Sequence, residues 1–188
     1  MTGDRQSSTR RVRVPAVLFT GHPSAGKTTL ATRTSALLSD RGIANEILDG
    51  DELRSRLPPL LGFSREDRSQ QFARALFLAE LLAAHGVVPI LALVAPFAAD
   101  RDIGRLRFAG PGWLEIHLDP PQQTCIERDT RGLYARLDAE GGRSAVVAEV
   151  FAVYEPPPSP ALRLDTNCLD IGMAAATVLN ALEPLLTS

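Results

Sequence analysis

Lysine is almost missing from this sequence. Of its 188 residues, 20 are lysine or arginine, and Lys27 is the only lysine. Cysteine is scarce too. Cys125 and Cys168 show no metal-ligand spacing and read as two reduced thiols of a cytosolic protein. Neither sign of charge is in excess. The formal net charge is -2, which leaves no basic footprint for nucleic acid. No stretch approaches the roughly 18 apolar residues of a membrane span. Residues 1–13 lack the apolar core of a secretory signal and read as a mobile polar tail. Internal repeats are absent as well. The length suits one domain, and the apolar fraction of 45% is ordinary for a globular chain.

The one lysine stands where a lysine has a purpose. Gly21-His22-Pro23-Ser24-Ala25-Gly26-Lys27-Thr28 fits the phosphate-loop pattern G-x-x-x-x-G-K-[ST], and Thr29 follows it. A compact ammonium on a flexible stem reaches between β- and γ-phosphates, where a planar guanidinium fits badly. The context is also present. Residues 16–20 form a short apolar run that reads as a buried parallel strand, and residues 28–38 read as a helix. Strand, glycine loop and helix set free N–H groups and the positive helix end around phosphates. The Thr28 hydroxyl suits Mg²⁺.

Further along, the spacing predicts strands at 43–48, 87–94, 113–118 and 161–164. It predicts helices at 52–57, from Ser64 to Gly86, at 99–107, after Pro120, at 145–154 and at 170–186. Ser64 and Asp67 have capping-box spacing. Residues 129–146 are rich in Arg, Gly and Asp, lack periodicity and read as a lid. Four prolines make 155–160 an extended connector. Strands alternating with helices predict a doubly wound parallel α/β sheet of five strands, with residues 14–188 as one phosphate-loop kinase domain. Ligands in such sheets sit at the carboxyl ends of the strands.

Asp49 and Asp51 fall at such an end. A carboxylate there can hold a water on Mg²⁺ or take a proton from an attacking hydroxyl. The third predicted strand ends without an acid, so Asp51 is the best candidate for the catalytic carboxylate. The guanine motif Asn-Lys-x-Asp is impossible without a second lysine, which disfavours a GTPase. The chain is also short for a motor ATPase. A kinase for a small molecule remains.

Six segments in order resemble the adenylylsulfate (APS) kinase family. They are Gly21 to Thr29, Leu48 to Arg54, Leu61 to Arg68, Ala95-Pro96-Phe97 with Asp100-Arg101, Cys125 to Asp129 with Gly132-Leu133-Tyr134, and Tyr154-Glu155-Pro156 with Leu162 to Thr166. The resemblance implies transfer of the γ-phosphate of ATP to the 3′-hydroxyl of APS, with ATP and Mg²⁺ as cofactors and a role in sulfate assimilation. It implies a small-molecule acceptor as partner, with no nucleic acid or membrane, and leaves a homodimer open. It implies that Arg54 and Arg68 hold the acceptor's anionic group and that Phe63 stacks on its adenine. Gln71, Pro96, Phe97 and Leu133 complete that side. Arg128, Asp165 and Thr166 match the purine side of ATP, and Arg131 joins Arg128 over the phosphates. The sequence departs from the family at Gln71, Ala73, Ala135 and Val147 to Phe151. A kinase for another hydroxylated metabolite, or a nucleotide-binding module without turnover, are the alternatives.

Overall fold

The computed structural model describes residues 13–129 and 153–187. The expected tail apart from Arg13, the expected lid at 129–146 apart from Asp129, Arg131, Leu133, Ala135, most of the helix expected at 145–154 and the Val147–Phe151 segment lie outside them. Five strands are described: β1 (Ala16–Thr20), β2 (Asn45–Asp49), β3 (Val88–Ala92), β4 (Trp113–Leu118) and β5 (Leu162–Leu164). The helices are α1 (Lys27–Asp40), α2 (Gly50–Arg56), α3 (Arg65–Ala84), α4 (Ala98–Arg107), α5 (Gln122–Arg128) and α6 (Ile171–Leu186). No described helix is long and apolar enough to cross a membrane.

The strands are all parallel and lie in the order β2-β3-β1-β4-β5, as expected for a doubly wound sheet. The period of two along β1 and β4 splits the core. Val17, Phe19, Leu114, Ile116 and Leu118 face α1 and α6, meeting Leu30, Ala31, Leu38, Val178 and Leu182. Ala16, Leu18 and Trp113 face the other way, toward Phe72, Ala75, Leu76 and Ala79 of α3 and toward Phe108. The stripe expected on α3 is buried at Phe72, Leu76, Ala79 and Ala83.

Boundaries moved where backbone chemistry outweighs pattern. Gly42 turns at φ 71, and the Ile43 N–H still bonds back to Leu38 at 3.0 Å, so β2 starts two residues late. At its other end Asp49 caps α2, accepting from the N–H groups of Asp51 and Glu52, so the helix begins at Gly50 rather than Glu52. β3 is shorter than the apolar run of 87–94, because the chain turns at Ala95 with φ 43. At the head of α3 the Ser64 hydroxyl accepts from the Asp67 N–H at 3.1 Å and donates to the Asp67 carboxylate at 2.9 Å.

α4 lies close on β4 because Gly104 has no side chain. A Cβ there would fall 2.6 Å from the Trp113 ring. Gly104→Ala is therefore expected to lower stability by about 1–3 kcal/mol, the usual range for overpacking. Denaturant titration reads this, and an unchanged midpoint would show that the indole simply moves aside.

Candidate active site

The carboxyl ends of the strands meet at one edge, and the glycine loop crosses it. Gly21 has φ 149, and a Cβ on it would lie 2.4 Å from the Leu118 carbonyl oxygen. No other residue lets β1 turn so near β4. Ser24 at φ 60 and Gly26 at φ 93 complete the curl, leaving Pro23 half-buried and Ala25 buried. Gly26 precedes α1 in a left-handed conformation, and neither a side-chain cap nor an acidic residue occupies the first turn. The first N–H groups of α1 are thus aimed at the loop's hollow, the geometry that binds phosphate. The Lys27 ammonium donates to the carbonyls of Gly21 at 3.0 Å and His22 at 2.6 Å.

The Thr28 hydroxyl donates to Asp49 Oδ2 at 2.6 Å. Asp49 is nearly buried, and its other oxygen holds the start of α2. Asp51 lies one step out, exposed in a cleft shared with Thr28, Asp49 and Glu52. The sequence reading put Asp51, through water, beside the metal hydroxyl. The carboxylate in contact with Thr28 is Asp49, while Asp51 faces the open cleft. Thr28 and Asp49 together are two hard oxygen donors, a set that suits Mg²⁺.

Among the residues expected on the purine side, Arg128 Nη1 donates to the Thr166 hydroxyl at 3.0 Å and Nη2 to its carbonyl at 2.9 Å. Thr166 in turn donates to the Ala25 carbonyl at 2.9 Å. Arg128 and Thr166 therefore abut the loop. Asp165 accepts from the Asn167 N–H at 2.8 Å.

Among the residues expected on the acceptor side, Arg54 and Arg68 carry their guanidinium groups 4.7 and 5.5 Å from the Phe63 ring centre. Phe63 is 65% exposed, so this cluster faces solvent. The arginines also anchor the loop before α3. Arg54 donates to the Leu61 and Gly62 carbonyls and Arg68 to the Phe63 carbonyl. Arg74, which the sequence reading passed over, donates to the carbonyls of Leu57 and Pro59. Gln71 is buried and reaches the Gly50 carbonyl at 3.4 Å, under the Asp49–Asp51 turn. Pro96 and Phe97 are buried, and the Arg65 guanidinium covers the Phe97 ring at 4.1 Å.

Sequence reasoning missed the polar layer beneath the loop. The Thr20 hydroxyl donates to the Val94 carbonyl at 2.6 Å and pairs with the Tyr154 hydroxyl at 3.0 Å. The Tyr154 ring lies 4.7 Å from His22 and 5.6 Å from His117. Burial pushes Tyr154 up to about 12, so its hydroxyl keeps its proton. Glu115 and His117 were the available signal. An acid and a histidine two apart inside an apolar strand must share a face and find partners there.

This fold and site define a phosphate-loop kinase. The family model for adenylylsulphate kinase matches residues 13–165. An adenylyl-sulfate kinase of Chloroflexus aurantiacus is 40% identical over 169 residues, covering 90% of this chain and 89% of its own. One from Prochlorococcus marinus is 36% identical, covering 90% and 83%. The APS kinase CysC of Mycobacterium tuberculosis, solved in complex with AMPPNP and APS, superposes with a TM-score of 0.80. It is 34% identical and covers 92% of this chain and 99% of its own. The chain belongs to the adenylylsulfate kinase family, and it is an ATP-dependent kinase.

His22 supplies a pH prediction. Burial, then the Lys27 charge and then His117, push its pKa down to about 4. Burial also lowers His117. The unfolded chain protonates these rings below their ordinary value of 6.5, whereas folded His22 resists until about 4. The unfolded state then binds more protons, so stability falls as pH drops through that window. Denaturant titrations at about pH 7 and about pH 5 are expected to show a smaller acid loss in His22→Asn than in the parent. Equal losses would show that His22 titrates alike in both states.

Proposed function

We propose that this protein transfers the γ-phosphate of ATP to the 3′-hydroxyl of APS, giving PAPS and ADP. One observation carries the choice of acceptor. Two guanidinium groups flank a single exposed aromatic face, Phe63, at the strand-end edge that also holds the phosphate loop. That arrangement suits a flat ring joined to an anionic group.

The loop N–H groups and Lys27 bind the triphosphate, and the lysine neutralises charge that spreads over the transferring phosphoryl oxygens. To do so Lys27 leaves the Gly21 and His22 carbonyls for phosphate oxygens. Thr28 and Asp49 would hold Mg²⁺, which would offset the negative charge of the phosphates. Asp51 takes the proton of the attacking hydroxyl as the new oxygen–phosphorus bond forms and the bond to ADP breaks. Its exposure in the cleft puts it within reach of a substrate, whereas Asp49 caps α2 and accepts from Thr28. Arg128 closes the purine side through Thr166.

The deciding experiment incubates the protein with ATP and a panel of acceptors including APS, and reads added phosphate by mass. PAPS should form with the parent and not with Lys27→Ala. Phosphate on a different metabolite, with none on APS, would replace the acceptor named here. Turnover by Lys27→Ala within about tenfold of the parent would overturn the loop's role, since such charge stabilisation is worth several kcal/mol.

The two aspartates should separate kinetically. Asp51→Asn is expected to lower kcat by roughly two to four decades, the usual range for general-base loss, with little change in ATP affinity by calorimetry. Asp49→Asn should weaken Mg²⁺-dependent ATP binding and leave the start of α2 in place, because an asparagine oxygen accepts from the same N–H groups. Equal effects on both properties in both variants would remove the distinction.

A further inference from the structure

One buried charge is not used by the mechanism above. Arg101 is 1% exposed and its partner Glu115 is 3% exposed. A buried pair is tolerated when its remaining hydrogens also find acceptors. Arg101 Nε donates to Glu115 Oε1 at 2.9 Å, Nη1 to the Ala95 carbonyl at 2.7 Å, and Nη2 to the Glu155 carbonyl at 2.6 Å. Arg105 donates to the other Glu115 oxygen at 2.6 Å, from the exposed side.

The two backbone targets define what Arg101 does. Ala95 holds φ 43 with a proline after it, a conformation an alanine adopts only under constraint. It sets the direction of Pro96 and Phe97. Glu155 is fixed to the same turn three times. Its N–H donates to the Pro96 carbonyl at 2.8 Å, its side chain accepts from the Ala98 N–H at 2.7 Å, and its carbonyl rests on Arg101. Tyr154 beside it bonds Thr20, the last residue before the phosphate loop. A lysine could supply the charge but not three bonds in three fixed directions.

We propose that Arg101 is a positioning residue for the acceptor half of the site: it locks the turn from Ala95 to Phe97 and ties Glu155 to it. Binding of the acceptor, and not of ATP, then depends on this guanidinium. The inference rests on APS as acceptor, and the test separates the two.

The test is steady-state kinetics on Arg101→Lys, Glu155→Gln and Arg105→Gln, varying APS and ATP in turn. It is joined by amide hydrogen exchange on the same proteins. Arg101→Lys should raise the KM for APS by roughly tenfold or more, as misplacement of a positioning element does, and leave that for ATP within about twofold. Exchange should quicken at residues 95–98 and not at 21–29. Glu155→Gln, at an exposed side chain, should raise the APS KM in the same direction without disturbing the buried pair. Arg105→Gln touches Glu115 but not the turn, and should leave both KM values within about twofold. An unchanged APS KM in folded Arg101→Lys, or equal rises for APS and ATP, would overturn the proposal. If Arg101→Lys does not fold, an unchanged APS KM in Glu155→Gln overturns it. If the parent makes no PAPS, the acceptor reading fails. The positioning claim is then decided by exchange at 95–98 in Glu155→Gln and, where it folds, Arg101→Lys, and no change there overturns it.

Discussion

The contact on which the site depends is the approach of the Gly21 backbone to the Leu118 carbonyl. Only a residue without Cβ lets β1 leave the sheet this close to β4 and curl into the head of α1. The position of the loop then follows, and with it that of Lys27. From there α1 carries Thr28 onto Asp49, which closes the path from the loop across β3 to β2. A larger residue at position 21 would displace the loop and the Thr28–Asp49 contact together.

The chain divides its cations by chemistry. The arginines described around the site hold backbone. Arg54, Arg68 and Arg74 hold the loop from Leu57 to Phe63; Arg101 holds Ala95 and Glu155; Arg128 holds Thr166. Each uses a planar fork to satisfy carbonyls that loops leave unpaired. The single lysine sits where the charge must move from its own loop's carbonyls to a phosphate. A guanidinium is suited to the static role and an ammonium to the mobile one.

Much of this was legible beforehand. The strand–loop–helix unit was plain because glycine spacing, the lone lysine and an apolar strand agree locally. The order of the elements followed from alternating periodicity. The commitment of Asp49 was less legible, because two aspartates around a glycine look alike in sequence. Only the β2–α2 corner shows which one faces Thr28 and which the cleft. Arg101 belongs to a segment that carries the resemblance, yet it is buried against Glu115, fourteen residues on and in β4. Such pairing is tertiary, and its only local trace is an acid inside an apolar strand. Arg54 and Arg68 stood out in the sequence, but their hold on the loop before α3 was not legible there.

The two faces of the sheet are unequal, and that inequality explains where chemistry collects. Toward α1 and α6, β1 and β4 present only apolar side chains, so that side supplies cohesion. Toward α3 and α4 the same strands place Thr20, Glu115 and His117, each buried. Buried polar groups are tolerated only where partners are fixed in space. Here Tyr154, Arg101 and Arg105 provide them for Thr20 and Glu115. This polar layer gives up hydrophobic area at the edge where the phosphate loop and the turn from Ala95 to Phe97 lie. Apolar packing is nondirectional and would allow the two to slide, whereas a fork bonded to three oxygens resists it. The phosphate loop and the turn from Ala95 to Phe97 are therefore joined through directed bonds, while the opposite face of β1 and β4 is apolar.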